Sequence, residues 1–525
     1  MTQEDIFPVV VIGAGLAGLS AARHLAARDI PPMVLEADTT WPGGRLAGGD
    51  ADTFEHQART WSFPSEHGAH ALWGAYDNMR AMLERFLDIE LRESEGEEWI
   101  NRWGNAVRYI EAGQAVRSRW LPAPFHYLQL LFRPRFWATI TPLDFLSLPG
   151  FILSIIWTLG LDPIREEIAL DGLKMKEYFR GWTPNLKATF TGLGVNLLAS
   201  NAEEINLTAF IAAIRFYTML RRDAWKLEYL PANSHTCIIQ PLIEGIETAG
   251  GMVMKGARAT RLERKEDYWR ISVEDVQRGG TRSLEAEHII LAVNPAAAQE
   301  ILDNSPDISD RAEEIKFPPV TRSSAIRLWF DAAPRDGAPG GMLTGDFMFD
   351  NFFWLHRLHD EFKGWHELTG GSAVEVHNYN RDEVLDQPDQ LIMIMAANEI
   401  QRAFPTLRGH LVHAAVRHNG YTQTQFVVPT EKSLDVDTPW SGIFACGDWI
   451  GHPTPALWME RCTVTGIDAA NHIIRAYNKQ PFEVIAPCSP ELPARVISGT
   501  VYFLRKLIGP LVLRIGRLFS GRHKA

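Results

Sequence analysis

The first apolar block, residues 7–12 (FPVVVI), is rich in β-branched residues and has no polar alternation, the pattern of a short strand buried on both faces. It runs straight into Gly13-Ala14-Gly15-Leu16-Ala17-Gly18. Leu19, Ala22 and Leu25 then recur at helical spacing until Pro31 and Pro32, and residues 33–35 form a second apolar run ending at Glu36. This predicts a complete βαβ unit. Further along, residues 250–263 predict a turn and a strand, and His288 to Val293 predict a buried strand closed by Asn294-Pro295. Residues 442–446 predict another short strand, followed by Gly447-Asp448, a loop punctuated by prolines and a helix rich in small residues from about Ala456.

Two segments break this pattern. Residues 120–161 are densely aromatic and aliphatic; their longest uncharged piece, 145–161, contains Pro149-Gly150 and lies between Asp144 and Asp162. That length is at the bottom of the spanning range, so the segment predicts helices that dip into one leaflet or line a tunnel; ordinary core helices are the alternative. The chain then closes with seven basic side chains and no acid between Arg495 and Ala525, interspersed with apolar stretches. This is the composition of an amphipathic helix at a membrane interface, or of a solvated helix packed on its own domain.

The 525 residues, at about 150 per domain, predict two or three interleaved units. Hydrophobic residues at 46% and charged residues at 22% supply a large core and argue against wholesale disorder. A net charge of −12 disfavours nucleic acid as a partner. Cys237, Cys446, Cys462 and Cys488 show neither CxxC spacing nor a disulfide framework, which points to a reducing compartment. The N-terminus shows no signal-peptide pattern. The expected location is the cytoplasm, peripherally associated with the inner face of a membrane.

The glycine pattern has a definite chemistry. Gly13 permits a tight turn, Gly15 lets a pyrophosphate approach the backbone, and Gly18 brings helix against strand, while the helix N-terminus offers free N–H groups to the phosphates. Ala14 lies within this loop, and Glu36, followed by Ala37, is spaced to accept hydrogen bonds from a ribose. The motif indicates a dinucleotide without separating FAD from NAD. Trp41-Pro42-Gly43-Gly44-Arg45 makes that distinction: with the preceding unit it resembles the flavoprotein superfamily of amine oxidases, protoporphyrinogen oxidases and carotenoid desaturases. The resemblance implies FAD wrapped by this segment, with Arg45 near the phosphates. Gly447-Asp448, followed by Met459-Glu460 and a small-residue helix, resembles the carotenoid-desaturase branch, in which the acid binds a ribityl hydroxyl.

Two more segments narrow the resemblance. Glu66-His67-Gly68-Ala69-His70, then Trp73, Tyr76 and Asn78, is similar to the phytoene-desaturase and aryl-carotenoid-synthase pattern. It implies that His67, Gly68 and His70 belong to the cofactor site. No third or fourth ligand accompanies the two histidines in sequence, so no metal is expected. Asp350-Asn351 and Gly370-Gly371-Ser372, continuing through Glu375, His377 and Tyr379, resemble isorenieratene-synthase-type proteins, which desaturate a carotenoid end ring and shift a methyl group. Resemblance covers most of residues 8–475.

The implied fold is α/β: a discontinuous, doubly wound FAD-binding domain of Rossmann type, an inserted α+β substrate domain and a C-terminal amphipathic helical tail. Residues 1–110, 226–300 and 436–477 are assigned to FAD binding. Residues 111–225 form a mostly helical substrate and membrane-contact region, 301–435 the substrate domain, and 478–525 the basic tail. The implied activity is desaturation of a carotenoid or related isoprenoid polyene by hydride transfer to flavin, with an acceptor such as a quinone or oxygen. Ring and chain chemistry both remain open. So do an amine or protoporphyrinogen oxidase, a non-redox carotenoid isomerase and a non-catalytic polyene-binding flavoprotein. No spacing names a catalytic base; His452 and Glu460, beside the predicted flavin loop, are candidates for proton movement, set against loop hydrogen bonding and helix capping. Cys446 reads as a small buried filler.

Overall fold

Val9, Val10 and Val11 are completely buried, which the continuous apolar run requires. Their strand, Phe7–Ile12, pairs in parallel with Pro32–Glu36 on one side and with Thr281–Leu291 on the other. Met252–Lys255 extends the sheet beyond Pro32–Glu36, and Ile443–Ala445 joins the end of Thr281–Leu291, both in parallel. Three distant stretches of sequence thus build one nucleotide-binding sheet. This computed structural model describes residues 6–94, 96–113, 118–170 and 172–520, with side chains as far as Ile508. The side chains of Arg514, Arg517, Arg522 and Lys524 in the basic tail lie outside that description.

The helices Leu16–Ala26 and Trp458–Ala476 pack together so closely that a Cβ on Gly466 would lie 2.7 Å from the Ala17 carbonyl oxygen. The expected single strand at 250–263 is instead two. Gly256, at φ +67°, turns the chain between Met252–Lys255 and Ala257–Arg264, and the second piece pairs antiparallel with Trp269–Asp275.

A second seven-stranded sheet runs, edge to edge, through Leu411–Thr424, Val320–Phe330, Ser372–Tyr379, Asn351–Trp354, Gly340–Gly345, Glu98–Trp103 and Ala106–Glu111. The last two strands, expected from the sequence in the FAD-binding stretch 1–110, are built into this second sheet through parallel pairing of Glu98–Trp103 with Gly340–Gly345. Period-two alternation divides its faces. Ile326, Leu328, Val374, Val376, Phe352 and Trp354 form an apolar core with Ile392 and Ile400 of the helix Asp389–Ala403. Arg327, Glu375, His377, Asn351 and Phe353 point the other way, and three of these (His377, Asn351 and Phe353) line the large cavity. The fold is therefore α/β, with a Rossmann-type sheet and an inserted α+β unit. Apolar helices over residues 125–160 cover one side, and the C-terminal helix Leu492–Ser520 packs along Leu148–Gly160.

Candidate flavin and substrate site

A cavity of about 580 Å³ lies between the two sheets and collects residues from both. Its nucleotide end is made by the first βαβ unit. A Cβ on Gly18 would lie 2.0 Å from the Gly13 carbonyl oxygen, so helix and turn can meet only over glycine. A Cβ on Gly15 would meet nothing within 4 Å, because that face opens on the cavity. Gly13, Glu36, Ala37, Gly43 and Gly44 line the same wall. Glu36 is held in place by the N–H groups of Ala14 (2.9 Å) and Asp38 (2.8 Å), while burial raises its pKa. Ala14 thus acts through its backbone, as a support of the Glu36 carboxylate.

The two remote halves of the predicted cofactor site meet directly. Arg45 Nη2 lies 2.7 Å from Asp448 Oδ2, and both side chains line the cavity beside Gly447 and Met459. Burial works against the Arg45 charge, but Asp448 outweighs it and the guanidinium pKa is raised. Gly447 N–H donates to Thr465 Oγ1 at 3.0 Å, which ties the Gly-Asp turn to the following helix. Trp458, absent from the sequence-derived site, lies under Arg45 at 5.8 Å and is fixed by its indole N–H to the Leu197 carbonyl at 2.8 Å.

The opposite wall interlocks the two motifs that narrowed the resemblance. Glu375 Oε1 accepts the Ala69 N–H at 2.6 Å and lies 2.8 Å from His377 Nε2; Arg327 Nε donates to Oε2 at 2.7 Å. Asn419 Nδ2 donates to the His67 carbonyl at 2.9 Å. The loop of His67, Gly68 and His70 is therefore set by the second sheet. Burial opposes ionisation of Glu375, but Arg327 and His377 hold its pKa well below the usual range; burial pushes Glu66 the other way, against the pull of the same Arg327. His67 and His70 line the cavity and burial lowers both pKa values, that of His70 to about 4, so both rings are neutral at pH 7. From His377 the hydrogen bonds continue to Tyr379 and Asn351, each step 3.0 Å. Sequence resemblance touched these last three residues without placing them in a site; Asn419, Trp225 and Glu97 carried no local signal at all.

The acid–base candidates drawn from the sequence sit elsewhere. Both carboxylate oxygens of Glu460 face the helix Asp77–Phe86: Oε1 accepts Asn78 N–H and Nδ2, and Oε2 accepts Met79 N–H, at 2.8–2.9 Å. Glu460 is a helix cap contributed by another helix, and burial raises its pKa to about 7. His452 lines a separate depression with Asp435, Asp468 and His472, with Nε2 3.5 Å from Asp468 Oδ2. The structure places neither on the flavin cavity wall. Cys446 is buried, and burial keeps its thiol protonated.

A family model described as flavin containing amine oxidoreductase matches residues 16–474. The chain belongs to that family. Among curated relatives, the carotenoid phi-ring synthase of Chlorobaculum tepidum is 22% identical over 88% of this chain and 88% of its own length. The carotenoid phi-ring synthase of Streptomyces griseus is 24% identical over 90% and 89%. The 15-cis-phytoene desaturase of Capsicum annuum is 25% identical over 89% and 78%. Among solved structures, cyclohexylamine oxidase from Brevibacterium oxydans superposes with a TM-score of 0.63 at 16% identity, covering 90% of this chain and 100% of the other. A putrescine oxidase bound to putrescine gives 0.60 at 13% identity, covering 90% and 99%. The protein is an FAD-dependent oxidoreductase with carotenoid-desaturase-like relatives. Its residues fit that cofactor: the glycine turn leaves room for the diphosphate, Glu36 faces the ribose position, and Arg45 and Asp448 offer a cation and an acceptor where the two halves of the chain meet.

Proposed function

We propose that this enzyme desaturates a carotenoid or related isoprenoid polyene at an end ring, taking it from the cytoplasmic face of a membrane and passing its electrons to a quinone or oxygen. The observation that carries this reading is the cavity beyond the nucleotide segments, walled by Trp73, Tyr76, Leu193, Leu197, Trp225 and Phe353. Such a wall suits a long hydrocarbon. The phi-ring synthases matched along nearly their whole length favour the ring over the chain.

Bound flavin supplies the two-electron acceptor for an allylic C–H bond. The protein positions the hydrocarbon between aromatic faces, and the Glu375, Arg327 and His377 network holds the His67–His70 loop against it. Neutral His67 and His70 add no positive charge to the chamber wall.

Membrane docking is supported by an exposed apolar surface. Trp120, Phe132 and Leu146 are 89%, 82% and 73% exposed, and the segment Pro142–Gly160 has mean hydropathy 1.6 with only 33% of its window buried. The C-terminal helix adds exposed Phe503 and Leu507 beside it. Exposing a carotenoid-length hydrocarbon to water costs roughly 0.8 kcal/mol per methylene-sized group, so direct transfer from a bilayer avoids tens of kcal/mol. The test is anaerobic mixing of purified yellow holoprotein with vesicles carrying a β-ring carotene. The flavin should bleach while mass spectrometry detects a carotene lighter by two hydrogens, and with a quinone added to reoxidise the flavin a second pair should leave and an aromatised end ring accumulate. Failure to bleach with any carotenoid or isoprenoid overturns the reading.

A further inference from the structure

Among the carboxyls that line the cavity, Glu36, Glu97, Glu300 and Asp448, one sits among aromatic rings and pairs with neither a cation nor a backbone N–H. Glu36 holds backbone N–H groups, Asp448 pairs with an arginine, and Glu300 is exposed on its helix. Glu97, just before the strand Glu98–Trp103, lines the aromatic part of the cavity with Trp73, Trp225 and Leu227. Trp225 Nε1–H donates to its Oε2 at 2.9 Å. The surroundings are rings: Trp225 lies 5.5 Å from Trp99, 6.1 Å from Trp73 and 6.3 Å from Tyr127. The titratable groups that face Glu97 are Tyr127 and Tyr229, whose phenols burial keeps protonated. Among the described residues no cation offsets its charge, and burial raises its pKa to about 7 while the Trp225 and Trp99 indoles oppose that rise. A carboxyl desolvated with so little compensation is costly to the fold. Its environment suits a group that gives and takes a proton near neutral pH.

We propose that Glu97 is the proton acceptor for the substrate in this cavity. The inference rests on the polyene reading above. With FAD bound, one hydrogen of the substrate would leave as hydride, with the electron pair of its C–H bond, to the two-electron acceptor that the cofactor supplies. The C–H bond on the neighbouring carbon breaks, its electron pair becomes the new double bond, and its proton passes to the Glu97 carboxylate. Two hydrogens and two electrons leave the substrate, and the proton returns to solvent when Glu97 ionises again.

Glu97→Gln keeps the size of the side chain and an acceptor for Trp225, so the holoprotein of this variant is the probe. It should retain flavin and bind carotene with unchanged quenching of indole fluorescence. Single-turnover flavin reduction by carotene should fall by at least about 100-fold. In the wild type that rate should rise with pH through about 7 as Glu97 ionises; in Glu97→Gln the rise should vanish, and Glu97→Asp should restore part of the rate together with a pH dependence. Infrared difference titration of the substrate-free holoprotein should show a carboxylic-acid band lost near neutral pH, to which Glu66 and Glu460 also contribute, and the amplitude of that band should be smaller by one carboxyl in Glu97→Gln. Wild-type turnover alongside an unaltered rate and pH profile in Glu97→Gln overturns the assignment of Glu97 alone, as does a titration band of undiminished amplitude in the variant. A wild-type enzyme inert toward every polyene rejects the functional reading and this proposal with it.

Discussion

Arg45 and Asp448, from opposite ends of the chain, form an ion pair at 2.7 Å on the cavity wall, with the Asp448 side chain only 6% exposed. Each belongs to a segment that the sequence assigns to flavin binding, and the ion pair joins the two across the cavity wall. Asp448→Ala removes a charged acceptor from the site and leaves Arg45 without its partner. Hydrogen bonds to charged groups contribute about 1.5–3 kcal/mol, which corresponds to a loss of flavin affinity of roughly ten- to a hundred-fold. Reconstitution of apoprotein with FAD, followed by flavin fluorescence, measures it.

Glu460 acts on stability. Glu460→Ala strands the Asn78 and Met79 N–H groups in a buried setting, at a cost of about 2 kcal/mol or more. The expected result is a clear drop in the urea midpoint with an unchanged flavin spectrum and unchanged flavin affinity. A large loss of flavin at unaltered stability would contradict the capping role.

His24 carries a defined pH dependence. Its Nδ1–H donates to the Ser20 carbonyl at 2.7 Å, and Arg85 Nη1 donates to Nε2 at 3.0 Å, so the buried ring is neutral. Burial lowers its pKa to about 3. Between about 3 and the ordinary value near 6.5 the unfolded chain binds a proton that the folded chain refuses. Stability from this site is therefore complete above about 6.5 and is lost as pH falls toward 3, by at most about 1.4 kcal/mol per pH unit. Urea unfolding of wild type and His24→Gln across this range should show the wild-type advantage shrinking with acid.

Membrane docking through the exposed apolar surface predicts the behaviour of a triple variant, Trp120→Ser, Phe132→Ser and Leu146→Ser. Burying each such side chain in lipid contributes about 1.5–3 kcal/mol, so vesicle co-sedimentation should weaken by far more than tenfold. Flavin content and thermal midpoint should stay the same, because these side chains face solvent. Equal sedimentation of variant and wild type would remove this surface from the docking model.

The nucleotide-binding part was legible in the sequence because its information is local. A buried strand, a glycine turn, a helix and a terminal acid follow one another within residues 7–36, and the Gly447-Asp448 turn leads directly to its helix. Backbone sterics and period-3.6 packing act over that range whatever the rest of the chain does. The pair of Arg45 with Asp448 could be anticipated only as two halves of one resemblance; their contact needed the sheet that joins Phe7–Ile12 to Thr281–Leu291 and Ile443–Ala445.

Tertiary structure alone decided the substrate end. Alternation along Ser372–Tyr379 marks two faces, but register sets which face meets the cavity, pairing Arg327 with Glu375 and Asn351 with His377. Parallel pairing with Gly340–Gly345 carried Glu98–Trp103, and Glu97 with it, out of the nucleotide unit and into the chamber wall. Trp225 reaches Glu97 from a segment 128 residues away. Local propensity is blind to such meetings, because they depend on which strand edges close on one another and on the apolar surface that closure removes from water.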